Sequence, residues 1–308
     1  MLSSTTRHAT PRVFLGRRSA AVGGGRELVA SRALASAFCS PAGLHTRPWL
    51  ARLRRALSEG LFVLHFQPIV GVGDRRVSHH EALLRLADEP DGRLLAPGRF
   101  LPAAERYGLV RDIDRMVIDR VADLLGRQDA GPHTRIAVNV SALSVTDPSM
   151  LAHLARCLRA HGVDPSRLVI EVTETAAISD MDSARAFCAG VLALGCEVAL
   201  DDFGAGFGSF QYLKHLPFSY LKIDGDFIRR LPVSRTDQLL VKALAGVVRG
   251  MGKRTIAEFV GDEMTMSMLH SYGVDYAQGF QIGRPRPLLR ASSAAGTAGA
   301  SPHPTRGR

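Results

Sequence analysis

The sequence has few cysteines, and they form no recognisable pattern. Of its 308 residues four are cysteine, and no two of them have C-x-x-C spacing: Cys39, Cys157, Cys188 and Cys196. A disulfide framework in a chain of this length needs more cysteines than this. We therefore expect free thiols and a cytoplasmic location, because the cytoplasm keeps thiols reduced.

Long apolar runs are also missing. A membrane-spanning helix needs about 18 or more apolar residues in a row, and no stretch of the sequence approaches that length. A secretory signal is excluded too, because no apolar segment follows a basic start. The sequence thus predicts no transmembrane segment. Its hydrophobic fraction of 46% supplies enough apolar material for one large core or two small ones.

Acidic residues are scarce at both ends of the chain. Residues 1–50 hold seven arginines against the single acid Glu27, and the segment from Leu288 onward holds three arginines and no acid. The net charge of +10 lies almost entirely in these ends, so the central region is nearly neutral. A basic protein commonly binds a polyanion, but this distribution predicts no direct nucleic-acid binding by the central region.

Composition also separates the ends from the middle. Residues 1–47 are rich in Arg, Ser and Ala, and residues 291–308 have low complexity. Such segments cannot bury a core, so we expect disordered tails over 1–47 and 291–308 and a folded domain over 48–290. The first tail also has the composition of an organelle transit peptide, and this alternative stays open.

Short apolar runs alternate with amphipathic stretches through the middle of the chain. The runs predict eight strands, at 62–70, 77–86, 136–140, 168–172, 197–201, 220–224, 255–258 and 274–278. The stretches between them predict helices at about 97–107, 109–127, 149–161, 180–194, 207–215, 235–252 and 262–272. Eight strands alternating with helices over about 240 residues predict an α/β fold, a (β/α)₈ TIM-like barrel. Only residues 71–76 join the first two runs, so we expect one antiparallel strand near the start.

The ends of these strands carry polar side chains. In a barrel of this kind the active site lies at the C-terminal ends of the strands, which here hold Glu81, Asn139, Glu171, Asp201, Asp202, Lys222, Asp224, Glu258 and Gln278. One acid at a strand end is commonly a helix cap or an ion-pair partner. Six acids at one mouth, with few basic partners, repel one another unless cations bind. No His or Cys occupies these positions, so the set favours Mg²⁺ or Mn²⁺ over zinc.

These motifs resemble the EAL domain, the phosphodiesterase of bacterial cyclic-di-GMP signalling. Glu81-Ala-Leu-Leu-Arg85 matches its E-x-L-x-R signature, which alone is weakly specific. The resemblance covers about residues 50–290 and continues through Gln67-Pro-Ile-Val70, Val138-Asn-Val-Ser141, Glu171-Val-Thr-Glu174, Asp201-Asp-Phe-Gly-Ala-Gly206, Tyr212-Leu-Lys-His-Leu-Pro217, Leu221-Lys-Ile-Asp224, Ala257-Glu258 and Gln278-Gly-Phe280. In this order and spacing the set is highly specific.

The resemblance implies an EAL-type barrel with a two-metal site that hydrolyses cyclic-di-GMP to linear pGpG. It implies these metal ligands: Glu81, Asn139, Glu171 and Asp201 for one ion, and Asp201, Asp202 and Glu258 for the other. Lys222 is implied to orient or deprotonate the attacking water, and Glu81 and Glu258 count as catalytic through the metal site.

The same resemblance implies roles for further residues. The implied substrate contacts are Gln67, Leu83, Arg85 and Gln278. Glu174, with the loop 201–206, is implied to support metal binding and dimerisation, which suggests a homodimer. Asp224 is implied to hold Lys222 or to add negative potential near the metals.

One position departs from the family pattern. EAL domains usually carry a second glutamate three residues after the one that matches Glu258, and here that position is Gly261. Asp262 and Glu263 follow it, although acids there are also favoured at the start of a helix. The departure leaves an alternative open: a catalytically weak or inactive EAL module that serves as a cyclic-di-GMP receptor or a protein-interaction domain.

Overall fold

The computed structural model describes residues 47–87, 92–127, 131–174, 176, 180–204 and 210–287. All of these residues belong to one unit, His45–Arg308. The predicted tails (except for Arg47), the end of the loop 201–206 and the first residues of the helix expected at 207–215 lie outside the described residues. The boundaries at 48 and 290 therefore stay predictions.

Eight strands close into one barrel in the order β1 to β8. Their bounds are β1 Phe62–Gly71, β2 Val77–Leu86, β3 Ile136–Val140, β4 Leu168–Thr173, β5 Glu197–Phe203, β6 Tyr220–Ile223, β7 Arg254–Ala257 and β8 Tyr276–Gln278. Each lies within two residues of a predicted strand. The predicted (β/α)₈ TIM-like fold is confirmed.

Helices follow or precede the strands around this barrel. Their bounds are α1 Arg47–Glu59, α2 Leu101–Arg106, α3 Val110–Gly126, α4 Ala142–Val145, α5 Pro148–Ala160, α6 Met181–Ala193, α7 Phe210–His215, α8 Gly225–Arg229, α9 Arg235–Gly250 and α10 Glu263–Tyr272. Helix α1 was not expected, because its four arginines resemble the basic tail. It buries Leu53 and Ala56 completely.

Strand β1 is the antiparallel member that the short 71–76 connection predicts. It pairs antiparallel with β2, which places Gln67 opposite Glu81, and antiparallel with β8, which places Ile69 opposite Gln278. The remaining neighbours from β2 to β8 are parallel. This closure brings the first, second and last strands of the barrel together at the site described below.

The core has an outer and an inner part. The outer part packs the helices on the strands, and each fully buried Leu, Ile or Phe there contributes about 1.5–3 kcal/mol. The inner part is small and fills the barrel with Ile69, Ala137, Val169, Ala199, Tyr220 and Ile256. His79 packs beside Tyr220 and Tyr276, with ring centroids 5.4 and 6.1 Å away.

Candidate active site at the carboxyl ends of the strands

A cavity of about 640 Å³ opens near the C-terminal ends of the parallel strands. Nine of the residues expected at the site line it: Gln67, Glu81, Leu83, Arg85, Asp201, Asp202, Lys222, Glu258 and Gln278. The strand ends meet because seven consecutive strands run parallel around one barrel, so side chains far apart in sequence share one mouth.

Lys222 lies at the centre of the acidic side chains. Its Nζ is 2.9 Å from Glu171 Oε2, Asp201 Oδ1 and Glu258 Oε1 alike. Glu81 Oε2 is 3.6 Å away. The acids therefore share one basic partner, in line with the expectation that they would meet few. One ammonium does not balance these four carboxylates and the adjacent Asp202, so the cluster keeps an excess of negative charge.

Amide side chains fix the orientation of Glu81. Asn139 Nδ2 donates to Glu81 Oε1 at 2.7 Å, and Gln278 Nε2 donates to Glu81 Oε2 at 2.7 Å. The Gln278 amide also reaches Gln67 Oε1 at 3.2 Å, and Gln67 Nε2 donates to the carbonyl of Gly283. Strands β2, β3 and β8 are thus joined at the Glu81 carboxylate, and Gln67 on β1 is linked to it through Gln278.

Three carboxylates form the group best arranged for a cation. Donor oxygens of Asp201, Asp202 and Glu258 lie within 4.8 Å of one another, the one such group among the described residues. Asp202 has a left-handed backbone at φ 57°, unusual for a residue other than glycine. Its amide donates to Asp201 Oδ1 at 2.9 Å, which directs the two adjacent carboxylates into one region.

Burial and mutual repulsion shift the ionisation of this group. Burial, followed by the charge on Asp201, raises the pKa of Asp202 to about 6. Burial also raises the pKa of Glu258 to about 8, with Asp201 adding to the shift and Lys222 opposing it. A cation is therefore favoured here, because it would allow both groups to remain ionised.

The pKa values of the two remaining glutamates, Glu171 and Glu81, shift in opposite directions. Burial and the charge on Glu81 raise the pKa of Glu171 well above its ordinary value. Burial also disfavours the charged form of Glu81, but Lys222 and the amides of Gln278 and Asn139 hold the pKa of that carboxyl below its ordinary value. Glu171 Oε1 is buried without a hydrogen-bond partner in the described part of the chain. The donor set and this unsatisfied oxygen fit a divalent cation.

Lys222 itself stays protonated in this surrounding. Burial disfavours its charge, yet Asp201, Glu171, Glu258 and Glu81 together hold the pKa of Lys222 well above its ordinary value. The ammonium therefore donates to the carboxylates that surround it.

The other predicted residues lie around this centre. Asn139 is exposed, and Arg85 lines the cavity while its Nη1 donates to the carbonyl of Leu84 at 2.8 Å. Glu174 is buried, and its Oε2 accepts from the amide of Gly204. Asp224 caps α8 by accepting from Asp226 N at 2.7 Å. Among the described residues, no hydrogen bond or ion pair joins Asp224 to Lys222, but the charge of Asp224 contributes to the raised pKa of Asp202.

Neither acid after Gly261 replaces the missing glutamate. Asp262 is the N-cap of α10 and accepts from Thr265 N at 2.7 Å. Glu263 lies in the first turn of α10 and pairs with Arg75. Gly261 itself lines the cavity. Neither Asp262 nor Glu263 therefore supplies the carboxylate that Gly261 lacks.

Three of the further lining residues, Arg229, Phe259 and Phe280, were not among the predicted site residues. Arg229 comes from α8 and lies 4.0 Å from the ring centroid of Phe259, while Phe280 is 61% exposed at the cavity. Phe259 directly follows Glu258, and Phe280 lies two residues after Gln278 in the motif quoted above, so proximity in sequence could have indicated both. Arg229 has no such signal, because a helix and not a strand end supplies it.

Comparison with known proteins agrees with this geometry. The family model described as the EAL domain matches residues 50–285. The cyclic di-GMP phosphodiesterase PdeB of Shewanella oneidensis is 39% identical over 244 residues, which is 78% of this chain and 28% of that protein. The chain thus spans about a third or less of the length of the curated relatives it matches.

Solved structures match over more of their own length. The PaMucR phosphodiesterase in complex with c-di-GMP is 37% identical with a TM-score of 0.73, and the match covers 78% of this chain and 98% of that one. The FimX EAL domain of Xanthomonas citri in complex with c-diGMP is 34% identical with a TM-score of 0.73, covering 79% and 95%. The chain therefore belongs to the EAL domain family.

Proposed function

We propose that this protein is a metal-dependent phosphodiesterase that hydrolyses cyclic-di-GMP to linear pGpG. The observation that carries the proposal is the Lys222 ammonium surrounded by four carboxylates at the mouth of an EAL barrel. Relatives whose names state this activity, and related structures that hold c-di-GMP, support it. The reaction adds water across one phosphodiester, giving a 5′-phosphate and a free 3′-hydroxyl.

We assign the metal site to the cluster's oxygen ligands. Glu81, Asn139, Glu171 and Asp201 would hold one ion, and Asp201, Asp202 and Glu258 would hold the other. An all-oxygen donor set favours Mg²⁺ or Mn²⁺. When bound, two such ions supply a low-pKa water and neutralise charge on the phosphate.

The remaining side chains bind and orient the reactants. Lys222 orients the attacking water, since its ammonium pairs with Asp201 and Glu258, which are assigned to the second ion. Arg85 provides a forked donor for a phosphate oxygen. Gln67, Leu83 and Gln278 line the same cavity and complete the substrate contacts.

One observation favours a second function, binding without cleavage. Gly261 removes a carboxylate that the family usually places at the cavity, and neither Asp262 nor Glu263 replaces it. A cyclic-di-GMP receptor would keep the substrate contacts and lose turnover.

A single experiment separates the two functions. Purified protein is incubated with cyclic-di-GMP and Mg²⁺, Mn²⁺ or Ca²⁺, and both nucleotide binding and pGpG formation are measured. Metal-dependent pGpG formation supports the enzyme. Binding without pGpG in Mg²⁺ and Mn²⁺ rejects the enzyme and supports the receptor.

We also propose a homodimer, which the resemblance implies through Glu174 and the loop 201–206, and we propose that α9 contributes to its interface. This helix exposes Leu239, Leu240 and Val247, which are 54%, 48% and 44% accessible. Exposed apolar patches of this kind commonly mark protein interfaces. The test is the molar mass in solution of the protein and of Val247→Glu, which should shift the population toward the monomer.

A cytoplasmic location fits the same function. Cys157, Cys188 and Cys196 are free and buried, as expected of a protein from a reducing compartment. Among the described residues, no helix combines the length and apolar character that crossing a membrane requires.

A further inference from the structure

Helix α3 carries a buried acid outside the cavity. Asp114 is 7% exposed, and its Oδ2 accepts from the backbone amide of Ser141 at 3.0 Å. The hydroxyls of Ser141 and Ser144 also bond to this carboxylate. A carboxylate that is buried in this way is costly unless several donors satisfy it, and here all three donors lie in one short segment.

That segment follows directly on a residue of the metal site. Ser141 is the N-cap of α4, with φ −68° and ψ 158°, and it lies two residues after Asn139 on β3. Asn139 is exposed, so close packing does not fix its side chain. Its orientation depends on its backbone and on the hydrogen bond to Glu81.

Two other side chains of α3 contact the same segment farther along the chain. Arg111 Nε donates to the carbonyl of Leu143 at 2.9 Å, and Arg115 Nη2 lies 2.7 Å from Asp147 Oδ2. Both contacts lie farther along the chain from Asn139 than Ser141 does. Asp114 is thus the α3 side chain bonded closest in sequence to the metal site.

We propose that Asp114 is a positioning residue for the metal site, acting through the Ser141 amide to set the direction of Asn139. The inference rests on the metal site within the proposed function, and not on whether the bound nucleotide is cleaved. Side chains that orient metal ligands commonly change metal affinity about 10- to 100-fold when they are removed.

The test measures Mn²⁺ binding directly, by electron paramagnetic resonance titration of the full chain. Asp114→Leu removes the acceptor and should weaken Mn²⁺ binding about tenfold or more. Asp114→Asn keeps one acceptor oxygen and should retain most of the affinity. Asp112→Asn, on the same helix and exposed, is the matched control and should bind like the parent protein.

A second pair of variants tests the same bond from its other end. Ser141→Pro removes the donating amide, and the φ of −68° already suits proline. Ser141→Ala keeps the amide and loses only the hydroxyl. We expect weak Mn²⁺ binding for Ser141→Pro and near-parent binding for Ser141→Ala. If Asp114→Leu does not fold, Ser141→Pro and Ser141→Ala still test the role of this hydrogen bond in Mn²⁺ binding.

The double variant Asn139→Ala with Asp114→Leu shows whether Asp114 acts through Asn139. If it does, the second substitution adds little to the loss caused by the first. The proposal is overturned if folded Asp114→Leu and Ser141→Pro bind Mn²⁺ within about twofold of the parent, a change well below that expected for an orienting group. It is also overturned if the two losses in the double variant are fully additive. Parent protein that binds Mn²⁺ without cleaving cyclic-di-GMP would reject the enzyme and leave this inference standing.

Discussion

Lys222 Nζ lies 2.9 Å from Glu171 Oε2, and both side chains are almost completely buried. Each partner compensates the buried charge of the other, so removing one of them leaves an uncompensated charge in the interior. Here the ammonium also meets Asp201 and Glu258, so the loss of Lys222 exposes three carboxylates to one another.

Replacing this lysine should destabilise the barrel. We expect Lys222→Met to lower the free energy of unfolding by about 3–5 kcal/mol, as for other broken buried pairs. The double variant Lys222→Met with Glu171→Gln should lose less than the sum of the two single variants, by about 0.5–3 kcal/mol. Urea unfolding without added metal measures this, and full additivity would contradict the coupling.

Glu81→Ala should abolish hydrolysis without unfolding the protein. It removes an expected metal ligand, while Glu171, Asp201 and Glu258 still pair with Lys222, so the barrel should remain folded. We expect a loss of about 10²-fold or more in the rate of pGpG formation. Glu59→Ala, an exposed position in α1, is the control. A Glu81→Ala rate above about a tenth of the parent's, against that expected loss, would reject the metal assignment.

Gly261→Glu should raise activity at limiting Mg²⁺ or Mn²⁺. The new side chain has room, since the nearest atom to its Cβ would be Phe259 O at 4.0 Å. An added carboxylate near Glu258 should change metal affinity or activity about 10- to 100-fold. The readout is the metal concentration at half-maximal pGpG formation, with Gly98→Glu as control, at an exposed position with nothing within 4 Å of its Cβ. No change would mean that the missing glutamate is dispensable in this protein.

Gly279→Ala should be strongly destabilising, because a Cβ there would lie 2.1 Å from the backbone oxygen of Val260. We expect this overpacking to lower the free energy of unfolding by about 1–3 kcal/mol. Gly246→Ala is the matched control: it lies in α9 with nothing within 4 Å of its Cβ, and should stabilise by about 0.4–1 kcal/mol. Thermal unfolding of both variants measures the difference, and equal Tm values would show that the close approach is relaxed in solution.

The free energy of unfolding should decrease as the pH is lowered, partly because of His79. Burial, aided by the charges of Arg135 and Lys222, lowers the pKa of His79 from 6.5 to about 3. The folded state therefore binds the proton less readily than the unfolded state. The stabilising contribution is complete above pH 6.5 and is lost progressively as the pH falls to about 3, at up to about 1.4 kcal/mol per pH unit.

The variant His79→Phe isolates this contribution. It keeps an aromatic ring beside Tyr220 and Tyr276 but cannot titrate, so its unfolding free energy should depend less on pH between 6.5 and 3. His133→Gln, at an exposed position, should keep the parent's pH dependence. Identical pH profiles for the parent and His79→Phe would contradict the lowered pKa.

The sequence by itself determined the order and type of the elements. Apolar runs such as Leu168–Thr173 are recognised from neighbouring residues alone, because strands buried on both faces are mostly apolar. The polar residue at the end of each run then fell at the mouth of the barrel, since parallel strands end on the same side. The short connection before Val77 likewise determined the direction of β1.

The tertiary structure decided which of these side chains touch. Gln278 donates to Glu81 across 197 residues of sequence, and this contact exists because β1 pairs with both β2 and β8 as the barrel closes. Lys222 reads from the sequence as one polar residue in a buried strand, yet closure places it among four carboxylates. Asp114 and Arg229 gave no signal, because both project from helices whose rotation against the strands is set by packing. Periodicity is a local property, whereas distances between side chains depend on how the whole sheet closes.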